Sequence, residues 1–269
     1  MRKPPGEDFT VTHHRAMLMN RLFANVFVIL FAPGFGTSIQ AEDGTAKATL
    51  DKAIKALGGE ERLAKVEAFT WKSKGHFFLH GSDNRFNGHV TVQGFDQYRS
   101  EFEGEFNGSP LKWITVLKGD KGWRKHQNEL EEMDEKRVAN EKQSIYLMVI
   151  PTTLVALKGK NFEIGTASEE KVGDKQAVAI KGTGPDRKDF TIYFEKESGV
   201  PIKLVAKMTG LDGNEYTIET SFADYKEFDG IQKATKIESK RNGEKFVDAE
   251  LTDFKVVDKV DAATFDQPK

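Results

Sequence analysis

Residues 190–207 read FTIYFEKESGVPIKLVAK, and this stretch decides the fold. Two runs rich in β-branched and aromatic residues, Phe190–Phe194 and Val200–Lys207, flank the short connection Glu197-Ser198-Gly199. This pattern is typical of a β-hairpin. The short connection also requires antiparallel strands, because a parallel pair needs a long crossover.

The C-terminal third repeats the same pattern. Further strands are predicted over Tyr216–Phe228, Ala234–Lys240 and Lys245–Val256, separated by turns at Asp212-Gly213-Asn214, Asp229-Gly230 and Arg241-Asn242-Gly243. The sequence therefore predicts a mainly β (α+β) protein built on a large, meandering antiparallel sheet with few helices.

A hairpin with two distinct faces is predicted upstream, from Phe69–Leu79 and Phe86–Gly94 with a turn at Gly81–Arg85. Pairing residue 79 with 88 and residue 77 with 90 sorts both strands by chemistry. One face then carries Phe77, Leu79, Val90 and Val92, and the other carries His76, His80, Asn87, His89 and Thr91.

The next predicted hairpin, Tyr98–Phe106 with Leu111–Leu117, sorts in the same way when residue 106 pairs with 111 and 102 with 115. Its apolar face carries Tyr98, Phe102, Phe106, Leu111, Trp113 and Leu117, and its other face carries Glu101, Glu103 and Glu105 near Lys112 and Lys118. One aromatic and one charged face indicate a sheet wetted on one side. Shorter strands are predicted from Trp123 and over Asn161–Thr166 and Val172–Lys181.

Three helices are predicted. Thr45–Leu57 is amphipathic, and Glu60–Val66 forms a short second helix. A third is predicted over about Asp134–Ile150, interrupted at Pro151. The apolar segment Ser144–Leu157 has no strand partner, so we expect it to lie over the aromatic face of the sheet.

The N-terminus has the layout of an export signal. Arg21 precedes the apolar run Leu22–Ala32, and cleavage is predicted near Ala41. Residues 1–16 precede that layout, so we expect translation to start at Met17 or Met19. The predicted organisation is a signal peptide with an N-terminal extension over residues 1–41 and a single domain over residues 42–269, periplasmic or secreted.

Composition excludes several function classes. With 40 basic and 42 acidic residues the chain is weakly acidic, which argues against nucleic-acid binding because that needs a basic footprint. The sequence contains no cysteine, which excludes thiol catalysis and thiolate metal sites.

Several motifs resemble the superfamily of outer-membrane lipoprotein-sorting proteins. They are Ala56–Leu63 leading into Phe69–Gly75, the hairpin Tyr193–Lys203, Asp224-Tyr225-Lys226 with Asp229-Gly230-Ile231, and the ending Val260–Phe265. The overall character is similar to the planctomycete-type branch rather than to the proteobacterial carriers. For the carriers' functional arginine, Arg85, Arg99 and Arg124 remain alternatives.

The resemblance implies a LolA/LolB-like fold, which is a curved, unclosed antiparallel half-barrel with helices packed on its concave side. It also implies binding of a lipid or lipoprotein acyl chain between the sheet and a helical plug. A non-catalytic module that contacts an envelope protein is the alternative, and we expect a monomer in either case.

The candidate ligand-binding residues follow from the aromatic face and the plug. They are Trp71, Phe77, Leu79, Val90, Val92, Tyr98, Phe102, Trp113, Leu117 and Leu147. The same residues could instead form packed core beneath the plug, and residue types alone leave both interpretations open.

No pattern in the sequence predicts an enzyme, a cofactor or a metal. His76, His80 and His89 share a face, as metal ligands on adjacent strands would, but a solvated face carries scattered histidines as well. Gly182–Asp186 lacks the lysine and the following helix of a phosphate-binding loop, and is predicted to be a hairpin loop.

Overall fold

The structure, a computed structural model, describes residues 38–79, 81–106, 108–210 and 212–269. The predicted signal peptide lies almost entirely outside these residues. Cleavage near Ala41 and the domain boundary at residue 42 therefore stay predictions.

Thirteen strands form one antiparallel sheet, as the hairpin pattern predicted. They are β1 (Ala68–Leu79), β2 (Ser82–Gln93), β3 (Gln97–Phe106), β4 (Ser109–Lys118), β5 (Lys121–His126), β6 (Glu129–Glu132), β7 (Glu163–Val172), β8 (Lys175–Thr183), β9 (Asp189–Glu195), β10 (Pro201–Thr209), β11 (Glu215–Phe228), β12 (Ile231–Arg241) and β13 (Glu244–Val257). Strand β6 was not predicted, because its sequence, Glu129–Glu132, is mostly charged and all four residues are exposed.

The sheet consists of two meanders joined at its centre. The order is β6-β5-β4-β3-β2-β1-β13-β12-β11-β10-β9-β8-β7, so the first and last strands pair with each other. Strands β6 and β7 are the two outer edges, and the sheet is not closed into a barrel. The predicted half-barrel is confirmed.

Within the described ranges, three α-helices accompany the sheet: α1 (Ser38–Leu57), α2 (Glu60–Leu63) and α3 (Glu135–Thr153). The face of α1 predicted to be apolar is buried, with Ala46, Leu50, Ala53, Ile54 and Leu57 each at most 4% exposed. Among the described residues, no helix has the length and apolar character needed to cross a membrane.

Helix α3 begins as predicted but does not end where predicted. Asp134 caps it by accepting a hydrogen bond from the backbone N–H of Arg137 at 2.8 Å. The prediction that Pro151 interrupts the helix is wrong, because α3 continues to Thr153. Pro151 lies in the last turn, where it removes a single backbone donor, and Leu154 in a left-handed conformation ends the helix.

Helix α3 connects the two outer edges of the sheet, β6 and β7, and crosses the concave side between them. One core cluster joins its Tyr146 and Ile150 to α1 and strands β8–β10. A second cluster joins its Ile145 and Val149 to strands β1–β4 and β13. The helix therefore packs on both halves of the sheet, as expected for a plug.

Both predicted hairpin registers are wrong, but each by an even number of residues. Leu79 pairs with Ser82 rather than with residue 88, because a two-residue turn replaces the predicted longer one. Phe102 pairs with Trp113 rather than with residue 115, and this turn is again two residues long. Side chains alternate between faces with a period of two, so even shifts leave the assignment of faces intact.

Two of the motifs behind the family resemblance meet in space. The turn after α1 brings Gly58 against Gly230, in the turn between β11 and β12. Arg62 donates a hydrogen bond to the Gly230 carbonyl at 3.0 Å. This contact joins the end of α1 to the C-terminal half of the sheet.

We expect Gly58→Ala to destabilise the protein by about 2–4 kcal/mol. Gly58 has a φ of 134°, and a Cβ would lie 2.5 Å from the Gly230 carbonyl oxygen. Gly44→Ala, in α1 with nothing within 4 Å of its Cβ position, is the control and should be neutral or stabilising. Urea unfolding of both variants measures the difference, and equal stabilities would contradict the packing described here.

Candidate functional site

A cavity of about 320 Å³ lies between α3 and the concave face of the sheet. Ser144, Leu147 and Met148 of α3 contribute to its lining, and the rest comes from strands β1–β3 and β10–β13. The lining is mainly apolar and includes four phenylalanines, Phe77, Phe86, Phe102 and Phe222. Protein interiors leave few voids larger than a water molecule, so this volume is more than imperfect packing produces.

Six of the ten candidate residues line this cavity: Trp71, Phe77, Val90, Tyr98, Phe102 and Leu147. Phe77 and Phe102 are half-buried, whereas Tyr98 and Val90 are about 5% and 3% exposed. Aromatic rings that are half-buried at a cavity offer apolar surface to a ligand.

The other four candidates lie elsewhere. Val92 and Leu117 are at most 1% exposed and belong to the packed core under α3, so they do not line the cavity. Trp113 stacks on Phe102 with ring centroids 5.1 Å apart. Leu79 lies in β1, and its side chain is outside the described part of the structure.

Trp113 lines a second depression next to the cavity. This groove has a volume of about 760 Å³ and shares Phe77, Tyr98 and Phe102 with the cavity. Its far side is polar and includes Arg124 of β5 and Glu141 of α3. The shared rings form a thin apolar wall between the two spaces.

The C-terminal strands β11–β13 supply nine of the 22 residues that line the cavity, and sequence reasoning missed them. The residues concerned are Ile218, Thr220 and Phe222 of β11, Lys233, Ile237 and Ser239 of β12, and Val247, Ala249 and Leu251 of β13. Alternation along β11 signals part of this set. In β12 and β13 the alternation is less regular. The register between β12 and β13 shifts after Ser239, and the register between β13 and β1 shifts after Lys72.

Lys233 is the unexpected member of the lining, because it is a cation only 8% exposed in an apolar surround. Its ammonium donates a hydrogen bond to the Thr152 hydroxyl of α3 at 2.6 Å. It also lies over the rings of Trp71 and Phe254, 5.9 and 5.8 Å from their centroids. Burial lowers the pKa of Lys233 from its ordinary 10.5 to about 8.

A partly buried ion pair lies on the polar side of the groove. Arg124 donates to Glu141 at 3.0 Å and so ties β5 to α3. Burial raises the pKa of the Glu141 carboxyl, and the neighbouring Arg124 opposes that rise. Burial and the Glu141 charge raise the pKa of the Tyr98 hydroxyl, which lies beside this pair.

The charged and histidine-bearing face is the opposite, convex one. His76 contacts Asp83, and the His89 ring lies 2.9 Å from the Thr70 hydroxyl. No group of three or more possible metal ligands occurs within the described ranges. Glu103 pairs with Lys112 as predicted, whereas Lys118 pairs with Asp266 rather than with the glutamates.

We expect Lys233→Met to stabilise the protein at pH 7 by roughly 1–3 kcal/mol, because it removes a desolvated charge. The folded state holds the lysine proton less tightly than the unfolded state. Wild-type stability therefore rises relative to the variant as pH increases from about 8 towards 10.5.

Urea unfolding of both proteins at pH 7 and pH 10 measures this difference. A variant less stable than wild type at pH 7 would show that the hydrogen bond and ring contacts outweigh the cost of burial.

Comparison with known proteins supports the fold. No protein-family model matches the sequence, and a search of curated proteins finds no match. Among solved structures, a LolA superfamily protein from Nitrosomonas europaea is 11% identical, with 82% of this chain and 97% of that chain covered and a TM-score of 0.53. A DUF1329 family protein from Desulfovibrio piger has the same identity and coverage and a TM-score of 0.51.

These likenesses show the fold. The chain has a LolA-like fold, which confirms at that level the resemblance inferred from its motifs. The assignment to a particular branch of the superfamily stays a prediction.

Proposed function

We propose that this protein binds a hydrophobic ligand, such as a lipid or the acyl chain of a lipoprotein, in the cavity beneath α3. The observation that carries the proposal is an unfilled apolar volume of about 320 Å³ where a packed core is expected. Ligand pockets span about 300–1,000 Å³ and are mostly apolar with a few polar groups. The LolA-like fold is in keeping with a carrier of this kind.

The energetics suit an alkyl chain. A methylene group is similar in size to a water molecule, which occupies about 30 Å³, so the cavity holds a chain of about ten carbons. Burying each methylene stabilises a complex by ~0.8 kcal/mol, or about 8 kcal/mol for such a chain before association costs. The neighbouring groove, reached across Phe77 and Phe102, offers room for a longer chain.

The proposed activity is binding without catalysis. The described lining contains two ionisable side chains, Lys233 and Tyr98, among apolar and hydroxyl groups. Burial raises the pKa of Tyr98, which keeps its hydroxyl protonated at neutral pH. We place the protein outside the cytoplasm, as a soluble periplasmic or secreted carrier, on the basis of the signal at Arg21 and Leu22–Ala32.

We expect the purified protein to bind N-phenyl-1-naphthylamine, a neutral fluorescent apolar probe, saturably with one site. Ala249→Trp should weaken that binding at least tenfold, because Ala249 faces the cavity and the larger ring would occupy it. Ala223→Trp is the matched control, since Ala223 is exposed on β11 and does not line the cavity, so this variant should bind like wild type. Absence of saturable binding in wild type, or full binding by Ala249→Trp, would refute the cavity as the site.

Export makes a separate prediction. Protein isolated from its native host should begin at Glu42 or a neighbouring residue, as determined by N-terminal sequencing of the soluble envelope fraction. Among the residues of α1 whose exposure the structure describes, the buried face starts at Ala46, after the predicted cleavage site. Recovery of an uncleaved chain in the membrane fraction would contradict export with cleavage.

A further inference from the structure

The position of Lys233 in the cavity is costly and has a chemical implication. Buried charges in proteins are paired or bound to ligands, because desolvation of an isolated charge is expensive. Lys233 is 8% exposed, and among the described residues no carboxylate lies within ion-pairing distance of it. The cation thus lacks a counter-charge within the described protein.

The hydrogen bonding of the ammonium is also incomplete. An ammonium has three N–H donors, and Lys233 uses one of them on the Thr152 hydroxyl at 2.6 Å. The rings of Trp71 and Phe254 offer their faces, which attract a cation more weakly than an oxygen acceptor does. At least one N–H group therefore remains for an acceptor brought by a ligand.

We propose that Lys233 binds the anionic head group of a single-chain amphiphile whose alkyl tail fills the cavity. This inference rests on the proposed function and specifies the ligand class as an acidic amphiphile, best matched by a long-chain fatty acid. Charge complementarity selects an anion, and the apolar lining beyond Lys233, including Phe222 and Ile237, selects an alkyl tail.

A carboxylate fits the donors present. Thr152 is 1% exposed and does not line the cavity, so its hydroxyl positions the Lys233 ammonium rather than meeting the ligand. Lys233 does line the cavity, and its ammonium can donate a charge-assisted hydrogen bond to a carboxylate oxygen. A dianionic phosphate would bring three acceptor oxygens and a second charge to a site with a single cation.

The volume also argues for one chain. A cavity of about 320 Å³ accommodates about ten methylene groups at ~30 Å³ each. The groove across the shared rings accommodates the remainder of a sixteen-carbon chain. One chain thus already fills the cavity, and a second chain would have to lie outside it.

Arg241 is the rival anchor on the same face. It lies 4.5 Å from the Tyr216 ring centroid and 4.0 Å from that of Phe246, and its buried Nε has no hydrogen-bond partner. Arg241 does not line the cavity, however, whereas Lys233 does. A direct comparison of the two cations is therefore part of the test.

The test is competition against N-phenyl-1-naphthylamine with hexadecanoic acid and hexadecan-1-ol at pH 7, which share a tail and differ in head group. Wild type should prefer the acid by on the order of ten- to a hundredfold, as expected for a hydrogen bond to a charged group. Lys233→Met should abolish that preference, because it weakens the binding of the acid far more than the binding of the alcohol.

Three further variants sharpen the result. Lys236→Met removes an exposed lysine of the same strand that pairs with Asp224, and should keep the wild-type preference. Arg241→Met should keep it as well. Thr152→Val preserves shape, removes the hydroxyl and should lower the preference only partly, which keeps the inference testable if Lys233→Met folds poorly.

The outcomes separate the two proposals. Probe binding with equal affinities for acid and alcohol would overturn the role of Lys233 and leave the cavity proposal standing. Loss of preference in Arg241→Met, but not in Lys233→Met, would overturn it too. Hexadecyl phosphate bound more tightly than the acid, with the same dependence on Lys233, would overturn the carboxylate assignment. No saturable probe binding at all would overturn both proposals.

Discussion

The path of the chain from β6 to β7 is the constraint on which the rest of the structure depends. These strands are opposite edges of a thirteen-stranded sheet, and α3 is the main element between them. A flat sheet of that size is about 58 Å wide at ~4.8 Å per strand spacing. The 19 residues of α3 span only about 28 Å. The curl of the sheet brings its two edges closer together, so that α3 and the residues on either side of it join them across the concave side.

The cavity follows from the same constraint. A single helix with its side chains is about 10–12 Å across, which is too narrow to fill the hollow of so large a sheet. Helix α1 fills part of the C-terminal half, and α3 packs into both core clusters. What remains open lies between α3 and the strands, and its lining includes the buried cation Lys233. A buried cation at a cavity wall, with no carboxylate partner among the described residues, fits a role in binding better than a role in packing.

The fold was predictable from the sequence because its main signals are local. Glycine turns and the two-residue period identify strands one by one, and errors of six and two residues in register did not exchange the faces. Turn length depends on backbone geometry at residues such as Gly81, which residue types alone do not determine. The continuation of α3 beyond Pro151 was mispredicted because the last turn of the helix tolerates the missing backbone N–H of a proline.

The candidate site was less predictable, for two physical reasons. Lys233 shares a face of β12 with Ile231 and Thr235, but lysine is a residue type expected in solvent, so the sequence does not mark it as buried. The second reason is that lining and core residues share one face: Val92 and Val90 both point inward, but only Val90 reaches the cavity. Their difference depends on where α3 leaves space, which is a long-range property.

The pairing of β1 with β13 has a consequence for how the chain folds. Ala68 is the partner of Val257, so the central seam of the sheet joins residues almost at opposite ends of the described chain. Each meander can form from local hairpins, but the seam has to wait until the last strand is available. Contacts of such large sequence separation slow folding, because the chain loses conformational entropy when the long loop closes, before the contacts can stabilise the fold. For a chain with the predicted export signal, this topology would delay completion of the fold until the C-terminus has been synthesised. Until then, the incompletely folded chain could still pass through a membrane pore.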